Sequence, residues 1–124
     1  MLTWPRSVRV FLCTQPTDMR RSFDRLAEMT RQVIGQDPLS GHLFVYTSRR
    51  ADRVKILYWE RGGFVLWYKR LEAGRFHLPS VKGNTVELEA AELTILLEGI
   101  DLSGARRGRR FVPRGERERT SASI

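Results

Sequence analysis

The sequence predicts an α+β domain: an antiparallel sheet with a central aromatic and basic β-hairpin, packed against a long helix over about 18–35 and a short helix over about 90–98. Three observations predict it. Two strand-like runs flank Arg61-Gly62-Gly63, apolar residues recur at helical spacing after Thr17 and again after Ala90, and a hydrophobic share of 41% over 124 residues is that of one globular domain. A chain of this length buries one core and leaves no room for a separate catalytic domain. The domain is expected over 1–104, followed by an Arg-rich, disordered tail over 105–124.

Ser7 to Thr14 reads as the first strand, with Val8, Val10 and Leu12 on one face and Arg9, Phe11 and Cys13 on the other. Gln15-Pro16 ends it. Thr17 or Asp18 then caps a helix whose core stripe is Met19, Phe23, Leu26, Ala27, Thr30, Val33 and Ile34, with Gly35 placed to stop it. Its polar face offers the pairs Arg20 with Asp24 and Glu28 with Arg31. After the turn over 36–41, His42 to Thr47 reads as a strand. Arg75 to Leu78 is a candidate short strand before Pro79, and Val86 to Leu88 another. Leu93, Leu96, Leu97 and Ile100 mark the last helix, which Gly99 ends.

The hairpin is the most informative stretch. Arg53 to Glu60 and Phe64 to Leu71 are rich in β-branched and aromatic residues. With Arg61-Gly62 as the turn, Trp59 faces Phe64, Leu57 faces Leu66, Lys55 faces Tyr68 and Arg53 faces Arg70. With Gly62-Gly63 as the turn, Lys55 opposes Arg70 and Leu57 opposes Tyr68. Either way one face has an aromatic end and a basic end. The other carries Val54, Ile56, Tyr58, Val65, Trp67 and Lys69, a natural core surface.

Charge is zoned along the chain. The total is +8, of which residues 49–75 carry +5 and 105–124 another +5, while 76–104 carry −4. Arg49, Arg50, Arg53, Lys55, Lys69, Arg70 and Arg75 gather around the hairpin beside Trp, Tyr and Phe, residue types that neutralise phosphates and stack on bases. The alternative is aromatics in the core and basics that guard a strand edge. Catalytic chemistry is thin. One cysteine and two histidines do not make a Cys/His metal site, and no Gly-rich phosphate loop or nucleophile with its base is present. Asp37, Asp52, Glu60 and Glu72 sit in turns or beside arginines, where solvation and local pairing explain them. His42 reads as structural or exposed, and Cys13 as a small core residue. Apolar runs fall far short of a membrane span, and a cytoplasmic protein with no cofactor is expected.

The strings TDMRRSFDRLAEM (17–29), DPLSGHLFVYTSRRADRVKILYWERGGFVLWYKRLEAGRF (37–76) and VELEAAELTILLEGIDL (86–102) closely resemble the accessory protein encoded by the second open reading frame of bacterial insertion sequences of family sixty-six. That protein is named TnpB there and shares only the name with the RNA-guided nuclease. The resemblance covers most of 8–102. It departs at Arg25, where glycine is expected, at Thr47-Ser48, where an Asn-containing pair is expected, and at Leu78, where tryptophan is common. It implies a role in transposition beside a separate transposase that carries the DDE chemistry, and it supplies no catalytic residue. The expected partners are therefore DNA, held by the seven basic residues named above, and the transposase with other element-encoded proteins. The alternative is a protein-interaction module whose acidic stretch, 76–104, docks a basic partner without DNA contact.

Overall fold

The structure is a computed structural model, and it describes residue 5 and residues 7–99. Among the described residues five strands form one sheet: β1 (Val10–Cys13), β2 (Leu43–Thr47), β3 (Arg53–Glu60), β4 (Gly63–Arg70) and β5 (Thr85–Leu88), in the order β4-β3-β2-β1-β5. The sheet is mixed, not antiparallel. β1 and β2 run parallel in the register Val10 with Leu43, while every other pairing is antiparallel. Parallel neighbours need a crossover, and the chain from 14 to 42 supplies it with helix α1 (Phe23–Met29). The hairpin is accordingly not central: β4 forms one edge of the sheet.

The long helix expected over 18–35 is also shorter. Five residues of wider, π-type turn, Thr30–Ile34, extend α1 to Gly35, whose φ of +77° ends it. Its start is displaced because 17–21 is used otherwise. Thr17 N–H donates to Thr47 O at 2.8 Å, and the carbonyls of Met19 and Arg21 accept from the Lys55 ammonium. Neither expected helical ion pair forms: Arg20 turns back to Asp18, and Glu28 accepts from Gln32.

Two cores sandwich the sheet. On one face Leu26, Ala27 and Met29 of α1 pack on Phe11, Cys13, Phe44, Tyr46 and Leu57. Opposite, Leu93, Leu96 and Leu97 of helix α2 (Ala90–Leu97) join Phe76 over Val10, Leu12, Val45 and Ile56. β1 and β2 are buried along their whole length, so both read as unbroken apolar runs. Each fully buried Leu or Phe contributes about 1.5–3 kcal/mol. Arg75 to Leu78 forms no strand. Phe76 instead donates its N–H to Ala51 O at 2.6 Å and fills the α2-side core, 2% exposed. Cys13 is fully buried, and burial raises its thiol pKa. Tyr46, buried among α1 residues, bonds through its hydroxyl to Thr30 and to Leu26 O.

The hairpin register is the one set by an Arg61-Gly62 turn, with Trp59 against Phe64 and Arg53 against Arg70. Both turn residues have positive φ, +49° at Arg61 and +83° at Gly62, the geometry for which Asn-Gly is favoured. Arg61→Asn is expected to raise stability by about 0.5–1 kcal/mol, seen as a melting temperature a few degrees higher. The predicted C-terminal tail, 105–124, lies outside the described residues. Among those described, no helix is long and apolar enough to cross a membrane.

Candidate nucleic-acid interface

β1, β2 and β4 all finish, and β3 begins, at one end of the sheet. The loops there are stitched to one another. Leu71 N–H donates to Asp52 O and Phe76 N–H to Ala51 O, which brings Arg75 beside the β2–β3 turn. Residues 17–21 join the same end through Thr47 and Lys55. Arg49, Arg50, Arg53, Arg70 and Arg75, spread over 27 positions of sequence, therefore occupy one end of the molecule, with Arg20 and Arg21 alongside.

The β2–β3 turn is built rigidly. Ser48 Oγ donates to Asp52 Oδ1 at 3.0 Å and accepts from Arg53 N–H at 3.1 Å, while Ala51 N–H returns to Ser48 O. Ala51 takes φ +57°, a conformation an alanine adopts only under constraint. Arg49 and Arg50 at the tip are exposed, and neither they nor Arg53 and Arg75 have a side-chain hydrogen bond or ion pair with another described residue. Arg53 and Arg70 stand directly opposite across the hairpin, an arrangement that destabilises a sheet unless an anion lies nearby. Arg70 finds one in Glu72 at 2.8 Å, and that contact raises its pKa.

The two lysines are placed differently. Lys55 is 7% exposed, and its ammonium donates to Met19 O at 2.7 Å and to Arg21 O at 2.8 Å. Burial lowers its pKa. Lys69 points to the opposite face, where Nζ donates to Leu97 O at 2.7 Å and caps the end of α2, the position at which a cation also complements the helix dipole. Both ammonium groups are thus engaged with the main chain, and the arginines supply the open charge. Sequence spacing alone does not separate these roles, because Lys55 and Arg53 share one face and Lys69 differs from Arg70 by a single step.

Arg20 and Asp18 add a tight exposed pair. Asp18 accepts from Arg20 N–H at 2.9 Å and from its guanidinium at 2.7 Å. Those bonds lower the Asp18 pKa from 3.8 to about 2. The folded value lies below the unfolded one, so the pair supports the fold above pH 3.8 and is lost as pH falls through about 2. Carboxyl NMR titration is expected to give a midpoint near 2 for Asp18, returning toward 3.8 in Arg20→Ala.

The far end of the sheet has a different character. Trp59 and Phe64 meet edge to face at 5.1 Å, and Arg9 is bonded to Glu87 at 2.6 Å while lying over Phe11. His42 accepts from Arg9 N–H through Nδ1. Among the described residues no group of three or more His, Cys, Asp and Glu is placed to hold a metal ion.

Comparison with known proteins gives this basic end a context. The family model described as IS66 Orf2 like protein matches residues 8–107. Two proteins of Sinorhizobium fredii (strain NBRC 101917 / NGR234) are similar to the chain. Uncharacterized protein y4jC is 33% identical over 102 residues, covering 82% of this chain and 87% of that one. Uncharacterized protein y4hO is 40% identical over 101 residues, covering 82% and 88%. No solved structure matches. The family match spans both cores and every element of the sheet, including the loops that gather the arginines. The chain belongs to the IS66 Orf2-like family of insertion-sequence accessory proteins.

Proposed function

We propose that this protein binds DNA through the basic end of its sheet and so assists a separate transposase, without itself catalysing strand transfer. One observation carries the reading: Arg53 faces Arg70 across the hairpin, with Arg49, Arg50 and Arg75 around the same end and no side-chain partner for them or for Arg53 among the described residues. A sheet end that opposes like charges and leaves guanidiniums unpaired is stabilised by a polyanion. Phosphates meet that need, and arginine engages them bidentately.

The test is the salt dependence of binding to insertion-sequence end DNA. With four to five phosphates neutralised, log K plotted against log salt is expected to slope at about −4 on duplex. A slope near zero contradicts phosphate contact. Glu72 competes for Arg70, so Glu72→Gln is expected to tighten binding severalfold, measured in the same assay.

The alternative, a module that assembles element-encoded proteins without touching DNA, rests on the acidic stretch 76–104. Three of its carboxylates are already occupied: Glu87 by Arg9, Glu92 by the Glu89 N–H, and Glu89 by the Glu92 N–H at the start of α2. Co-purification with the transposase, together with no DNA shift at low salt, favours that reading.

A further inference from the structure

Tyr68 stands on the α1 face of β4, opposite Lys55 and one step along that face from Arg70. It is 49% exposed, the most open large hydrophobic side chain among the described residues. Its ring is nevertheless held. Lys55 Nζ lies 4.8 Å from the ring centroid, and that ammonium is anchored by the carbonyls of Met19 and Arg21. The cation takes one face of the ring. Among the described residues no other ring packs against Tyr68. The remaining hairpin aromatics are spoken for: Trp59 and Phe64 contact each other, and Tyr58 and Trp67 pack on the opposite core.

An ordered aromatic surface with an open face, set among arginines, has a specific use. Guanidiniums alone do not distinguish duplex from single strand, since both carry phosphates. A base inside a duplex has both faces covered by its neighbours, whereas an unpaired base offers a free π-face to an aromatic ring. Because Lys55 already fixes the Tyr68 ring, stacking on it sacrifices little side-chain freedom.

We propose that the basic end takes single-stranded DNA in preference to duplex, with one base stacked on Tyr68 and the flanking phosphates on Arg53 and Arg70. The proposal rests on the DNA-binding reading above and narrows its ligand. It also gives the buried Lys55 a functional consequence: the residue orients the stacking ring.

The experiment is fluorescence polarisation on the full chain, with a labelled thymidine strand of about 12 nucleotides and a duplex of equal length at equal salt. Wild type is expected to bind the strand more tightly. Tyr68→Ala should lose about tenfold or more on the strand and less than twofold on the duplex, while Tyr68→Phe keeps the preference because stacking does not use the hydroxyl. Tyr68→Leu, which retains bulk without a π-face, should match Tyr68→Ala and guards against a folding artefact. Equal losses on both DNAs, or none, overturn the stacking role; if duplex binding then persists and vanishes in Arg49→Ala/Arg50→Ala, the basic-end reading survives alone. Failure of wild type to bind either DNA at low salt overturns both.

Discussion

Changing Arg49, Arg50, Arg53 and Arg75 together to alanine is expected to weaken DNA binding by roughly a few hundredfold near 0.1 M salt and to flatten the salt slope by about four. The expectation follows from placement. Four guanidiniums without side-chain partners among the described residues sit at one sheet end, and each that meets a phosphate releases about one counterion. None of the four fills a core, so the folded state should barely notice their loss. Removing Arg53 also relieves its opposition to Arg70, which makes an unchanged or slightly higher melting temperature the expected companion result. Arg61→Asn is the matched control. It removes a charge at the hairpin tip, about 20–25 Å along the strand from the arginine cluster, and should leave affinity unchanged.

The largest effect on stability is expected at Lys55. Lys55→Met keeps the aliphatic bulk but deletes the ammonium that ties Met19 O and Arg21 O to β3. Two carbonyls then lose their donor at the point where the chain turns from Thr17 into α1, and the start of the helix loses its attachment to the sheet. A loss of about 2–4 kcal/mol follows from leaving such acceptors unpaired, equivalent to a melting temperature roughly 10–20 °C lower. Lys69→Met should cost only about 1 kcal/mol, since it removes one cap from one helix end. Thermal and urea denaturation of the two variants measure the difference. Equal, small shifts would mean that water replaces the Lys55 ammonium without penalty.

Much of this arrangement was legible in local pattern. The Arg61-Gly62-Gly63 stretch marks the hairpin and leaves two turns open, of which the structure takes Arg61-Gly62, while period-two alternation assigns every hairpin side chain to the same face under either. The short helix before Gly99 follows from its leucine spacing. The parallel pairing of β1 with β2 was signalled less loudly. A strand, a helix and a strand in succession is the pattern of a parallel crossover, yet the hairpin beside it drew the reading toward an antiparallel sheet. The length of α1 was beyond local pattern altogether. Met19 and Phe23 continue its apolar stripe, but a lysine 34 to 36 positions away claims the carbonyls of 19 and 21. The same long-range contact separates Lys55 from the open arginines. Basic residue type alone identified a cluster, and only the tertiary bonds divide it into anchors and free charge.

The most direct measurement of the central claim is amide chemical-shift mapping of the labelled protein during titration with a DNA oligonucleotide. The expected shifts fall on Ser48 to Arg53, Tyr68 to Phe76 and the neighbouring Arg20 and Arg21, with Arg61, His42 and Glu87 at the far end unmoved. Shifts confined to α2 and the acidic stretch, or none at low salt, would contradict DNA binding by the basic end.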